Sequence, residues 1–309
     1  MITNKPHPDE FKSLSIQYLV QSVDLIWKTE VALCVVDGDW DTNNNLQEEW
    51  EERQGTLGNS LIMLFLSIEN YFKFEISKID TLLLLSDAPS KWGTSKENKD
   101  FEDLYIHQFD DLIVIYQEVT SKKIKPEVQE RLSDLRKRRN KYTHGLHREL
   151  IYPEYVVKSI SIFLTSLWGP EWVTEFKSVI LTEPLYGLST EEEEQMQLLN
   201  YYKFFEKYLS NKDFRKLIGM PESGRRYLCP YCTNSSIESG MIIAANYALL
   251  DPNQPDSTEL KCWVCNFHAD VERRDCSKKN CPANVIFPEN TYYEHTSNCC
   301  LTCGSAQSS

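Results

Sequence analysis

No apolar run in this sequence is long enough to cross a bilayer. A membrane-spanning helix needs about 20 consecutive apolar residues. The most apolar stretch, SLIMLFLSIENYFKFEISKIDTLLLLS (60–86), is broken by Glu69, Asn70, Lys73, Glu75, Lys78 and Asp80. It reads as a buried helix with a polar stripe. The opening MITNKPHPDE has no apolar segment behind its lysine of the kind a secretory leader carries, so a cytoplasmic protein with no membrane partner is expected. Positive charge is also in deficit: 33 Lys+Arg against 46 Asp+Glu leave a formal net charge of -13. Such a balance excludes a protein that coats nucleic acid non-specifically; any contact must be local and selective. Internal repeats are missing, which excludes a solenoid. Cysteine is nearly missing from the first three quarters of the chain: Cys34 stands alone before Cys229, and the other nine lie between Cys229 and Cys303. Clusters of Cys-x-x-Cys in a reducing compartment point to metal, not to disulfides.

What is present divides at about residue 220. Residues 1–220 read as helix throughout. Phe11, Leu14, Tyr18, Leu25 and Ile26 recur at three- and four-residue spacings, and DGDWDTNNN (37–45) ends that first helix with turn chemistry. A long helical pattern follows from Leu46 towards Leu85, with a break at Gly55 to Gly58. Beyond a polar loop at 86–100, helices are expected over 103–120, 126–144, 153–168, 171–181 and 189–217. Pro126 sits where a first-turn proline is tolerated, and EEEE (191–194) is an acid-rich helix start that the helix dipole favours. From Gly219 the texture changes to short segments punctuated by cysteine, with GMIIAANYALL (240–250) as a strand or hairpin. The expected architecture is an all-α bundle at 1–220 followed by a small cysteine-rich domain at 221–309.

The chain concentrates five positive charges in RKRRNK (136–141), directly before Tyr142, Thr143, His144 and Gly145. One account is helix termination: cations in the last turn complement the dipole, and glycine follows the cap. A second account uses spacing. Asn140 and His144 are four apart and share a helix face, while Arg139 is about 140° away from His144, so both could line one wide cleft. A histidine moves protons near neutral pH, and an arginine presents a planar fork to phosphate. Together they are the minimal kit for cutting RNA without a metal: the 2′-hydroxyl attacks the adjacent phosphorus, and the developing charge rests on the arginine.

RNKYTH (139–144) resembles the Arg-polar-x-x-x-His signature of HEPN domains, small and often dimeric helical bundles. The resemblance covers that motif and the helical character of 1–220, and does not reach the cysteine-rich tail. It implies a metal-independent endoribonuclease with no catalytic metal, acting on RNA at a composite site in a homodimer. Toxins, anti-phage effectors and RNA-processing enzymes are its usual settings. It further implies that Arg139 binds the scissile phosphate, that His144 is the general base or acid, and that Asn140 positions it. Glu69 has two readings: an acid paired with Lys73 one turn on, or, by the resemblance, an acid from an earlier helix pointing at the active-site histidine. HEPN toxins silenced by a nucleotidyltransferase partner carry a tyrosine two residues after the histidine. Here that residue is Leu146, so this mode of control is not carried over. His147 reads as a surface histidine near the site. Because an unrestrained ribonuclease is lethal, an antitoxin, an activating protein or narrow specificity is expected.

In the tail, CPYC (229–232) and CWVC (262–265) each form a knuckle that presents two thiolates to one tetrahedral zinc. A small domain with little apolar sequence needs such a staple to fold. Cys276 and Cys281 with Cys300 and Cys303 are expected to hold a second zinc, with Cys299 an alternative to Cys300, and His268 and His295 alternates. Four thiolates leave no open position for water, so one or two structural zinc ions are expected, in a zinc-ribbon-like domain binding RNA, DNA or protein. Cys34 remains as a buried apolar side chain in the first helix. The function of another class that fits the same residues is a catalytically silent helical scaffold whose zinc domain does the binding. A zinc-ribbon transcriptional regulator is disfavoured by the acidic balance and by the lack of a helix-turn-helix signature.

Overall fold

The computed structural model describes residues 1–37, 43–92, 98–145, 149–180, 191–238 and 245–307, with backbone alone at 34–37, 43–45, 180 and 191–194. The chain forms two compact units, Met1–Val179 and Ile180–Ser309.

The first unit is helical. A short parallel pairing of β1 (Ile2–Thr3) with β2 (Lys99–Asp100) ties the start of the chain to the loop before α4. The helices are α1 (Pro8–Asp37), α2 (Asn43–Glu52), α3 (Gln54–Ser77), α4 (Phe109–Thr120), α5 (Pro126–Thr143), α6 (Pro153–Phe163) and α7 (Trp172–Ile180). α6 runs on into one π-helical turn at Leu164–Trp168. α3 is the central element, with α1, α4, α5 and α6 packed around it. Its facing residues Leu57, Leu61, Leu64, Phe65, Ile68, Phe72 and Ile76 are almost wholly buried.

α1 meets α3 through serines. The Ser15 hydroxyl donates to the Ser67 carbonyl at 2.8 Å; Ser22 donates to the Ser60 carbonyl at 2.8 Å, and Ser60 returns a bond to the Ser22 carbonyl at 2.7 Å. The pairing runs antiparallel, and small side chains let the two backbones come close. The hydroxyls of Ser15, Ser22 and Ser60 each have a carbonyl that offsets their desolvation, whereas Ser67 takes part through its carbonyl and its own hydroxyl has no partner among the described residues. This seam sets which face of α1 is inside. Ile16, Leu19, Val20, Val23 and Ile26 are buried, whereas Leu14, expected in the core, is exposed.

The expected break at Gly55 to Gly58 is not there: the chain breaks two residues earlier, at Arg53, and α3 runs through both glycines. Gly58 has another use. A Cβ at that position would lie 1.8 Å from Cζ of Tyr142, so the glycine lets the aromatic ring of α5 lie on α3. The Tyr142 hydroxyl donates to the Gln54 carbonyl on the same turn.

The second unit begins earlier than the expected boundary near 220. α8 (Glu191–Tyr208) and α9 (Asn211–Leu217) belong with the cysteine-rich segment. The reason is a buried aromatic core: Tyr202 meets Phe214 at 6.0 Å and Tyr247 at 5.7 Å between ring centroids, and Phe214 meets Tyr247 at 5.7 Å. Buried Arg215 ties down the following turn by donating to the carbonyls of Pro221, Ser223 and Gly224. Next come α10 (Pro230–Glu238) and an antiparallel sheet of β3 (Ala248–Leu250), β4 (Glu259–Cys262) and β5 (His268–Asp270). A second antiparallel sheet holds β6 (Glu272–Arg273), β7 (Val285–Phe287) and β8 (Cys299–Cys300). The strand expected within 240–250 is thus Ala248–Leu250, and 239–244 lie outside the described residues. So does the side chain of Cys34. No helix among the described residues is long and apolar enough to cross a membrane.

Candidate functional sites

The basic run ends a helix, as the simpler account requires. Pro126 opens α5, the His144 amide donates to the Asn140 carbonyl at 3.0 Å, and Gly145 follows in the left-handed region at φ +67°. Most of its charge is already matched. Arg136 pairs with Asp110, and Arg138 pairs with Asp134 at 3.2 Å and Glu149 at 3.6 Å while lying over the Tyr155 ring at 4.5 Å. Lys141 reaches Glu149 at 3.6 Å. Hydrogen bonds from Tyr155 and Arg138 outweigh partial burial and hold the Asp134 carboxyl below the usual carboxylate range.

Arg139 differs. Its guanidinium lies over the ring of buried Phe65, 4.1 Å from the centroid, and no carboxylate pairs with it among the described residues. It lines a cleft of about 430 Å³ whose walls are Glu69 and Lys73 from α3, the segment Ile106–Asp110 leading into α4, and Arg136 and Asn140 from α5. Phe65 and Phe109, 4.5 Å apart between centroids, support it. The cleft therefore brings together Arg139 and Asn140 of the motif with Glu69, seventy positions before Arg139. It does not include His144, which is exposed at the end of α5. Glu69 is ion-paired with Lys73 at 2.6 Å, the simpler of its two readings. Leu146 and His147 lie outside the described residues. A residue that spacing did not single out, His107, lines the same cleft. It stands in no motif, and its place is set by the fold alone.

The cysteines form two groups. Cys229, Cys232, Cys262 and Cys265 make one, and Cys276, Cys281, Cys300 and Cys303 the other; within each, all four sulfurs lie within 4.8 Å of one another. Each group could hold a metal ion. Zinc bound to four sulfurs at ~2.3 Å in a tetrahedron sets them about 3.8 Å apart. The Sγ–Sγ distances are 3.6 Å for Cys229–Cys265, 3.9 Å for Cys232–Cys262, 3.7 Å for Cys276–Cys303 and 4.0 Å for Cys281–Cys300. Backbone amides point at the sulfurs from within the knuckles: Cys232 N–H to Cys229 at 3.5 Å, Val264 N–H to Cys262 at 3.3 Å and Lys278 N–H to Cys276 at 3.4 Å. Such donors favour thiolate over thiol. In the second group the thiols divide: hydrogen bonds from Ser305, Cys281 and Cys300 outweigh desolvation and draw the Cys303 thiol down to about 6, while burial pushes the Cys300 thiol up to about 12.

The second group also settles the choice between adjacent cysteines. Cys300 faces inward with Ala283 and Ile286, packed against Cys276, Cys281 and Cys303. Cys299 stands opposite Phe287 in the register, on the other face of β8. His268 and His295 are in neither group: His268 is on exposed β5, and the His295 amide donates to Asn234. Comparison with protein-family models, with curated proteins and with solved structures gives no match.

Proposed function

We propose that the helical unit is an endoribonuclease of the HEPN kind, cutting RNA by attack of the 2′-hydroxyl on the neighbouring phosphorus without a catalytic metal. We further propose that the eight clustered cysteines hold two structural zinc ions in a ribbon-like module that selects the substrate or a partner. The observation that supports the first part is the charge of the cleft. Asp110 offsets Arg136 and Glu69 offsets Lys73, while Arg139 keeps its cation without a carboxylate partner among the described residues. A guanidinium backed by an apolar ring and partly shielded from water is a strong seat for a phosphate. Asn140 beside it adds hydrogen-bonding groups for the sugar or base. His144, exposed at the helix end, would act in a homodimer where a second copy completes the site.

Purified protein is incubated with total RNA in magnesium-free buffer, beside Arg139→Ala and His144→Ala. The expected outcome is a loss of about 100-fold or more with Arg139→Ala, the scale of a removed transition-state charge partner, and fragments ending in 2′,3′-cyclic phosphate. Cleavage undiminished in Arg139→Ala sinks the reading.

A second reading has its own observation. Tyr231, Phe267 and Tyr293 form a half-exposed aromatic group beside the first cysteine group, with Tyr231 and Phe267 stacked at 5.8 Å and Phe267 and Tyr293 at 5.4 Å. Such rings can stack on unpaired bases or pack on protein. On this reading the helices are a silent scaffold, Arg139 and His144 are dispensable, and function is lost with the cysteines.

A further inference from the structure

A ribonuclease that uses no metal must move a proton away from the 2′-hydroxyl, and the group that does so must sit beside the bound phosphate. The cleft that holds the unpaired guanidinium contains a histidine, and it is His107 rather than His144. The backbone there is held firmly. The His107 amide donates to the Leu84 carbonyl at 2.9 Å, and Ile106 bridges Leu85 just before α4 begins at Phe109. The imidazole is 27% exposed, open enough to meet a ligand and enclosed enough to be oriented. Its Nδ1 lies 3.8 Å from the Asp111 carboxylate in the first turn of α4, beyond hydrogen-bond reach. The charged groups around it are Asp110 and Asp111 from its own segment, Glu69 and Lys73 from α3, and Arg136 and Arg139 from α5.

We infer that His107 is a catalytic residue of the cleft, the base that faces a phosphodiester seated on Arg139. This inference rests on the ribonuclease reading. His107 takes the proton of the 2′-hydroxyl as the 2′-oxygen–phosphorus bond forms. The bond from phosphorus to the 5′-oxygen breaks, and that proton passes to the leaving 5′-oxygen. The products are a 2′,3′-cyclic phosphate and a 5′-hydroxyl, with no net change in protons.

The test uses the full chain and two readouts. RNA cleavage is measured for the wild type, His107→Gln, His107→Ala and His144→Ala, with melting curves to confirm folding. The His107 variants are expected to lose about 100-fold or more, the lower range for a removed general base. In parallel, the imidazole NMR signals, assigned with His107→Gln, are followed during titration with a nucleoside 3′-monophosphate. The His107 signals are expected to move saturably in the wild type and to stay still in Arg139→Ala. Wild-type cleavage with both His107 variants unimpaired overturns the inference and leaves the ribonuclease reading standing. A His107 signal unmoved by the nucleotide, in a protein that cleaves RNA, overturns it equally. No cleavage by the wild type overturns both.

Discussion

In the helical unit α1 and α3 are held by four buried serines and a broad apolar seam, and each helix spans many turns. In the cysteine-rich unit the longest strand among the described residues, Glu259–Cys262, is four residues long, and eight thiols are gathered into two knots of sulfur. The first unit has the apolar surface to fold by burial alone. The second has short strands and two groups of four cysteines that could hold a metal ion, which would cross-link them. The two units also differ in how they handle charge. At the cleft of the helical unit Asp110 and Glu69 match Arg136 and Lys73, while Arg139 has no carboxylate partner among the described residues. In the other, backbone amides are turned toward sulfur.

The largest expected effect breaks that comparison directly. Stripping metal with a strong chelator should unfold the second unit and leave the first standing, because structural zinc contributes on the order of 10 kcal/mol to such domains. Hydrogen exchange would show loss of protection at 245–307, and also at α8 and α9 through their aromatic contacts with Tyr247, with α3 unchanged. Protection of the tail that survives complete metal removal would contradict the account. Metal stoichiometry sharpens it: Cys300→Ser should fall from two ions per chain to one, while Cys299→Ser keeps two. The reverse result would mean that β8 is paired one residue out of register.

A smaller effect tests the packing of the helical unit. Gly58→Ala places a methyl inside the ring of Tyr142 and should cost roughly 1–3 kcal/mol, as overpacking does, read as a lower melting midpoint. In a Tyr142→Ala background the same change should cost little, because the obstacle is gone. Smallest is the response to acid. Glu75 is buried, yet hydrogen bonds from Lys122 and Lys78 outweigh desolvation and hold its carboxyl below the usual range; Asp134 is likewise lowered. Their stabilisation is fully present above the ordinary carboxylate range and is lost as pH falls through their depressed values. The melting midpoint should therefore fall on acidification, and less steeply in Lys122→Met, where Glu75 has lost one partner.

Much of the helical layout was legible because helix signals are local. Pro126 and Gly145 bracket α5, and apolar spacing placed α6 within a few residues, while the single helix expected over 189–217 is two, α8 and α9, broken at Leu209 and Ser210. Where local signals failed, a distant partner decided. Glycines at 55 and 58 read as a break, but the ring of Tyr142, more than eighty positions on, needs that smooth surface. Leu14 fitted the apolar spacing of α1, but the serine seam turned it outward. The boundary near 220 followed a change in composition, while Tyr202 and Phe214 had already joined the core built around Tyr247.

The candidate sites divide in the same way. Cys-x-x-Cys is a complete geometric unit, because one tight turn aims two sulfurs at one point, so the sequence by itself determined that there are two four-cysteine groups that could hold a metal ion, and their members save for the choice between Cys299 and Cys300. Choosing Cys300 over Cys299 took the sheet, since neighbouring residues on a strand face opposite sides. The sequence also marked RNKYTH as a place where charge gathers. It could not tell which of those cations would be neutralised, because Asp110, Asp134 and Glu149 arrive from other parts of the chain. Only the tertiary structure left Arg139 open, set it over Phe65 and brought His107 into its cleft. Ion pairing and cleft walls are made by residues far apart in sequence, and no local spacing encodes them.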